Sequence, residues 1–263
     1  MSYYEYYSKW HDHTNEDYIK HMHEYFTKII EDHLPDNKDS NILEMACSNG
    51  MALLTLRDKG YNNLTGIDID EDLVNVARGF NLNAKKINAL KFFETNREKY
   101  DFIYAIDFIE HLSNEEFSQL MLQCKNSLNK NGKLLMVTPN AISPVSMYYR
   151  YIDYTHKTIF TPSSLSYALN NLGFNDILVS DLNVFSDKSN WYLKTFRAMM
   201  TTFFEQEEEV NIVTPNFIAV AQYNENLERP VTKFNYEQDK FDIFEEISQI
   251  KYNLQQIQKE SDG

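Results

Sequence analysis

Basic charge, cysteine and glycine are all scarce in this chain. Of its 263 residues, 25 are Lys or Arg against 39 Asp or Glu, a formal net charge of −14. That surplus repels a polyanion such as RNA or DNA unless a local basic stripe compensates, and the sequence has none, so no nucleic-acid partner is expected. In its plainest role an acidic surface keeps a protein soluble. The two cysteines, Cys47 and Cys124, cannot build a disulfide framework. No run approaches the ~18 apolar residues of a membrane span. Met1-Ser-Tyr-Tyr-Glu5 lacks the basic-then-apolar layout of a secretion signal, so a cytoplasmic protein is expected. Only 7 Gly beside 18 Tyr and 17 Phe, with many Asn, Lys and Ile, suggests a low-GC bacterial genome. The length fits one domain with additions and suffices to bury a sizeable core.

What the sequence does carry is concentrated in Asn41-Ile-Leu-Glu-Met-Ala-Cys-Ser-Asn-Gly50. The run reads as a short buried strand with a carboxylate near its end, a loop of small side chains, and a helix start at Met51-Ala-Leu-Leu-Thr-Leu56. Small residues at Ala46, Ser48 and Gly50 let the backbone approach a ligand closely. The strand–turn–helix setting puts that ligand at the carboxyl edge of a parallel sheet. A second strand, Asn63-Leu-Thr-Gly-Ile-Asp68, ends in another acid, where a nucleoside ribose is held through its hydroxyls. A dinucleotide fold uses glycines to seat a pyrophosphate on a helix N-terminus. Glu44, just ahead of the loop, would repel a pyrophosphate and suits the ammonium of an amino-acid moiety instead. A small-residue turn after a buried strand also occurs in other α/β proteins, so the loop alone leaves that alternative open.

The segments that follow keep one order. Gly66-Ile-Asp68-Ile-Asp70 leads into a helical pattern, Glu71-Asp-Leu-Val-Asn-Val-Ala-Arg78. Asn88-Ala89 is read as closing a third strand, Tyr100-Asp-Phe-Ile-Tyr-Ala-Ile-Asp107 as a fourth and Gly132-Lys-Leu-Leu-Met-Val-Thr-Pro-Asn140 as a fifth. Leu172-Gly-Phe174 precedes a sixth, and Asn216-Phe-Ile-Ala-Val-Ala-Gln222 closes the set. The loop resembles motif I of class I S-adenosylmethionine-dependent methyltransferases, with Ala46 and Ser48 standing where two glycines are usual. The later segments resemble that family's following motifs, over roughly residues 40–222. The resemblance implies an α/β fold: a Rossmann-like, doubly wound, seven-stranded, mostly parallel sheet with helices on both faces. It implies S-adenosyl-L-methionine as cofactor, in a pocket lined by Glu44, Ala46, Ser48, Gly50, Asp68, Ile69, Asn88, Ala89 and Ile106. In the family the third strand end often carries Asp to hold the adenine amino group, and Asn88 can still accept that hydrogen bond.

The flanks divide the chain into an N-terminal helical cover at 1–39, a methyltransferase domain at 40–223 and a tail at 224–263. In the cover, Tyr18, His21, Met22, Tyr25, Phe26, Ile29 and Ile30 fall at helical spacing. Five of the 7 histidines lie there, at 11, 13, 21, 23 and 33. They are surface or lid residues rather than a metal site, because spacings of two do not share a helix face. Tyr3, Tyr6, Tyr7 and Trp10 either cover the pocket, as such segments do in relatives, or dock the segment on the core. Residues 141–161 are an insertion after the fifth strand, and Thr161-Pro162 starts the next helix with a good N-cap. A further helix is expected at about Trp191–Phe204. In the tail, Glu228-Arg-Pro230 is read as a linker to a helix with Phe241, Phe244, Ile247, Ile250, Leu254 and Ile257 in a stripe near heptad spacing. That stripe either packs on its own domain or contacts a second copy or a partner enzyme.

The chemistry is expected at Asp107-Phe-Ile-Glu110-His111, after the fourth strand. A helical turn beginning at Asp107 would put residues 107, 110 and 111 on one face. Two carboxylates and an imidazole there are three ligands for a divalent cation; in a metal-free site His111 is a general base or a loop cap. His156, in Asp153-Tyr-Thr-His156-Lys-Thr-Ile-Phe-Thr-Pro162, can bring a fourth ligand over the same edge. This arrangement resembles plant small-RNA 2′-O-methyltransferases, and its first half resembles ubiquinone-pathway O-methyltransferases. The resemblance implies Mn²⁺ or Mg²⁺ at Asp107, Glu110, His111 and His156, positioning an acceptor oxygen, with Asp107 shorter than the usual Glu. Asp107, His111 and His156 are the candidate catalytic groups. Tyr149, Arg150, Tyr151 and Tyr154 are candidates for holding a small-molecule acceptor, Arg150 suiting a phosphate or carboxylate. The loop also resembles methyltransferases of bacterial surface-polysaccharide pathways, implying a sugar-related or phosphorylated capsule precursor. An RNA 2′-O-methyltransferase and a non-catalytic partner subunit are the alternatives.

Overall fold

The computed structural model describes residues 15–182, 187–203 and 212–236. Its framework is an eight-stranded sheet: β1 (Asn41–Met45), β2 (Asn63–Asp68), β3 (Ala84–Lys86), β4 (Tyr100–Ile106), β5 (Leu128–Pro139), β6 (Asp176–Asp181), β7 (Asn216–Gln222) and β8 (Val231–Asn235). The spatial order is β3-β2-β1-β4-β5-β7-β6-β8, with β7 antiparallel to β5 and β6 and the other pairings parallel. The first seven strands follow the expected plan. The eighth is a correction: the stretch after Pro230, read as linker and helix, begins with a strand beside β6. Val-Thr-Lys-Phe-Asn is too short and polar to announce itself, and its ladder partner lies far away in the chain.

The helices are α1 (Glu16–Ile30), α2 (Met51–Asp58), α3 (Glu71–Gly79), α4 (Ala89–Thr95), α5 (Asn114–Ser127), α6 (Ser146–Ile152), α7 (Pro162–Asn171) and α8 (Asp187–Phe203). Several begin at local signals. Asp70 accepts from Asp72 N and Leu73 N to cap α3, and Ser113 with Glu116 forms a capping box on α5. Thr161 caps α7, with Pro162 in its first turn. The third strand was placed too late: β3 stops at Lys86, and Asn88 is the N-cap of α4.

Alternation along β4 sorts the core into two layers. Ile103 and Ala105 face one side with Phe92 and Phe93 of α4, Phe117, Leu120 and Met121 of α5 and Leu165 and Leu169 of α7. Phe102 and Tyr104 face the other, with Ile29 and Ile30 of α1 and Ala52 and Leu56 of α2. α1 is thus a docked helix whose last turn is core, and Asn49 Nδ2 donates to the Tyr18 hydroxyl at 3.3 Å. Tyr3, Tyr6, Tyr7, Trp10, His11, His13 and the stripe from Phe241 to Ile257 lie outside the described residues. The insertion after β5 carries α6, none of whose residues is buried.

Candidate active site

The loop between β1 and α2 adopts the backbone its small residues foretell. Ala46, Ser48 and Gly50 all have positive φ, at 55°, 48° and 78°. The two non-glycine residues therefore occupy a conformation that costs an L-residue about 1–2 kcal/mol. Gly50 is required twice over, since a Cβ there would lie 2.8 Å from both Ala77 Cβ and Leu82 Cδ1. The loop is tied to β2 by Asp68, whose Oδ2 accepts from Ser48 N and Oδ1 from Asp70 N, both at 2.8 Å. Burial raises the Asp68 pKa, against the pull of those amides. Ile69, next along, is exposed.

Glu44 lies beneath this loop, 4% exposed, and its Oε2 has no hydrogen-bond partner among the described residues. Burial, with the charge of Asp68 adding, pushes its pKa well above the usual carboxylate range. An orphaned buried carboxylate oxygen is costly, and an ammonium group would satisfy it. Asn88 Oδ1 is occupied by Leu90 N and Lys91 N at 3.0 and 3.3 Å. The expected acceptor role toward adenine therefore gives way to the remaining Nδ2 donor. Ala89 is buried beside it, and Ile106, at the end of β4, is partly buried.

After β4 the chain does not start a helical turn at Asp107. Asp107 has φ 51°, and a 3₁₀ turn spans Ile109–His111. Asp107 Oδ1 accepts from Asn216 Nδ2 at 2.8 Å. Asp107 is exposed, yet desolvation by the surrounding protein raises its pKa to about 6, against the Asn216 bond. Glu110 points inward, 1% exposed. Its Oε2 accepts from Thr138 Oγ1 at 3.1 Å, while Oε1 has no hydrogen-bond partner among the described residues. Burial and the neighbouring Asp107 charge hold the Glu110 carboxyl well above its usual range.

The insertion closes over this turn. Glu110 O accepts from Lys157 N and Thr158 N at 2.8 and 3.0 Å, which brings His156 Nε2 to 4.0 Å from Glu110 Oε1. The His111 and His156 rings meet edge-on, 4.7 Å apart. Among the described residues, Glu110, His111 and His156 form the one group whose donor atoms, one from each, lie within 4.8 Å of one another. His156 Nδ1 sits 2.9 Å from Tyr149 O, a pure acceptor, so Nδ1 carries a proton, which in a neutral ring leaves Nε2 with the lone pair. Burial, then the charge of His156, lowers the His111 pKa. A carboxylate and two imidazoles with one unsatisfied oxygen fit a divalent cation, and equally fit acid–base work.

A methyltransferase-domain profile matches residues 18–179, spanning both the loop and the cluster. The chain belongs to this family of S-adenosylmethionine-dependent methyltransferases. It is 26% identical over 164 residues to a phosphoethanolamine N-methyltransferase of Plasmodium falciparum, covering 60% of this chain and 62% of the relative. It is 26% identical over 144 residues to a ubiquinone biosynthesis O-methyltransferase of Hydrogenovibrio crunogenus, covering 49% and 59%. The chain thus spans about three-fifths of the length of these curated relatives. Among solved structures, an S-adenosylmethionine-dependent methyltransferase of Archaeoglobus fulgidus superposes with a TM-score of 0.59 at 21% identity, over 84% of this chain and 99% of that one.

In this family member Asp68 is bonded to the β1–α2 loop of small residues, and Glu44 is buried at the end of β1. Of the four expected cation ligands, Glu110, His111 and His156 come together, while Asp107 turns toward Asn216. Tyr149 is half-buried and meets the cluster through its carbonyl, whereas Tyr151 and Tyr154 are 68% and 73% exposed. The Arg150 guanidinium lies 5.3 Å over the Tyr151 ring. Sequence reasoning missed Thr138, Asp153, Thr155 and Asn216. The Asp-x-Thr turn at 153–155 was a local signal for two of them, whereas Thr138 and Asn216 carried none.

Proposed function

We propose that the chain methylates a hydroxyl of a small, sugar-related or phosphorylated acceptor, activated at Glu110, His111 and His156. The buried Oε1 of Glu110, beside two imidazoles and without a hydrogen-bond partner among the described residues, carries this proposal. S-adenosylmethionine, when bound, would supply a sulfonium methyl to the acceptor oxygen in line, with S-adenosylhomocysteine as the leaving thioether and the acceptor's proton passing to an imidazole of the cluster. Glu44 holds the cofactor's ammonium, Asp68 its ribose hydroxyls, and the Ala46–Gly50 backbone lets the methionine moiety lie close. Mn²⁺ or Mg²⁺ between Glu110, His111 and His156 would lower the acceptor's pKa and orient it. Asp107, at the solvent-facing rim, orients the acceptor and is not a ligand. Arg150 meets a phosphate or carboxylate on it. A precursor of bacterial surface polysaccharide is the acceptor class we favour, on the resemblance of the 141–161 loop.

The relatives, a phosphoethanolamine N-methyltransferase and a ubiquinone biosynthesis O-methyltransferase, are both small-molecule enzymes by name. The test is release of S-adenosylhomocysteine across an acceptor panel of sugar phosphates, nucleotide sugars, phenols and phosphoethanolamine. Glu110→Gln and His156→Ala should abolish turnover while leaving cofactor affinity unchanged, and chelation should do the same reversibly. Undiminished activity after exhaustive chelation and in Glu110→Gln would refute the cluster's role. For the tail, we propose that the Phe241–Ile257 stripe contacts a second copy. Deleting residues 237–263 should then halve the particle mass in light scattering, and an unchanged mass refutes the contact.

A further inference from the structure

His111 reaches the insertion through Thr155, which the proposed ligand set does not include. His111 Nδ1 and Thr155 Oγ1 are 2.8 Å apart, and Thr155 Oγ1 donates its one hydrogen to Asp153 Oδ1 at 2.7 Å. The same carboxylate oxygen accepts from Thr155 N at 2.7 Å, so the turn itself locks the hydroxyl's direction. A hydroxyl that has spent its hydrogen can only accept from a neighbour. The neutral imidazole of His111 must then place its proton on Nδ1, which leaves Nε2 with a free lone pair. Burial works against ionisation of Asp153, but the two Thr155 bonds and the nearby imidazoles outweigh it and hold its pKa below the usual value. An ionised Asp153 accepts and never donates, which keeps the direction of the chain of bonds.

We propose that Asp153 and Thr155 are positioning residues that set the His111 tautomer, making Nε2 the nitrogen that holds a cation or takes the acceptor's proton. This rests on the role proposed above for Glu110, His111 and His156. The logic is that of an outer-shell carboxylate orienting an imidazole, here through an intervening hydroxyl. It also couples the acceptor loop to the chemistry, since His156 is fixed through Tyr149 O on the same insertion. A loop that has not folded onto the turn leaves both imidazoles without their tautomer-setting partners.

The test uses the full chain labelled with ¹⁵N-histidine, with tautomers read from long-range ¹H–¹⁵N spectra of the metal-free protein. Wild-type His111, assigned by its loss in His111→Gln, should show Nδ1 protonated and Nε2 bare. Thr155→Val keeps the shape, removes the hydroxyl and should lose that signature; Thr155→Ser should restore it. Asp153→Ala frees the Thr155 hydrogen to donate to His111 Nδ1 and should move the imidazole proton to Nε2. Free histidine also favours the proton on Nε2, so recovery of the Nδ1–H signature in Thr155→Ser, which restores the hydroxyl, is the readout that separates this chain of bonds from a loosened loop. Mn²⁺ binding, followed by water-proton relaxation, should fall roughly ten- to a hundredfold in Thr155→Val and recover in Thr155→Ser. A wild-type His111 protonated on Nε2, or a Thr155→Val spectrum unchanged from wild type, overturns the proposal. If the tautomer responds as stated but the wild type binds no Mn²⁺ and His111→Gln turns over normally, the positioning role stands and the proposed cluster function fails.

Discussion

The loop between β1 and α2 offers a test in which two mutations toward the family pattern and one away from it should have opposite effects. Gly50→Ala puts a Cβ 2.8 Å from Ala77 Cβ and Leu82 Cδ1 while φ is +78°. The left-handed backbone costs about 1–2 kcal/mol and overpacking about 1–3 kcal/mol, together roughly 2–5 kcal/mol. At about 2–4 °C per kcal/mol for a domain of this size, Tm should fall by roughly 4–20 °C. Ala46→Gly and Ser48→Gly relieve left-handed strain of about 1–2 kcal/mol each, offset by about 0.4–1 kcal/mol of added freedom in the unfolded chain. Each should be neutral or stabilising by up to about 1.5 kcal/mol. The amide of Ser48 that donates to Asp68 survives the change. Thermal melts and urea titrations give the energies, and calorimetry with S-adenosylmethionine shows whether the loop still binds. A Gly50→Ala protein that melts like wild type, or glycine variants that each lose several degrees, would refute the steric and strain argument.

Asp68→Ala should weaken S-adenosylmethionine binding roughly ten- to a hundredfold by calorimetry. It should also lower Tm, because Ser48 N and Asp70 N lose their acceptor. Glu44→Gln should stabilise the cofactor-free protein increasingly as pH rises. The folded pKa lies above the ordinary 4.5, so ionisation of Glu44 opposes folding once pH passes the unfolded value. Melting curves from about pH 4 to pH 8 check that sign, and a Tm gain that shrinks with rising pH contradicts it. The same variant should bind S-adenosylmethionine at least about tenfold more weakly, a charged hydrogen bond being worth about 1.5–3 kcal/mol. Asn216→Ala should change the KM for the acceptor more than the affinity for the cofactor, because Asn216 holds Asp107 at the rim; equal effects on both would remove Asp107 from the acceptor side.

The positions of most strands, several helix starts and the backbone of the β1–α2 loop were legible because their causes are local. Apolar runs such as Ile42–Met45 and Phe102–Ala105 read as buried strands, and Asp70 and Thr161 cap within three residues of themselves. Glu44, Gly50 and Asp68 follow from strand ends and backbone geometry. Other features depended on pairings between remote segments. Val231–Asn235 becomes a strand only because β6 offers it a ladder, and Asp107 is claimed by Asn216 across the end of β5. His156 joins Glu110 because the insertion's Lys157 and Thr158 amides find the Glu110 carbonyl. Their periodicity carried none of this. A capping or strand signal is written in adjacent residues, whereas a meeting of two side chains is decided by where each loop finds partners for its backbone groups.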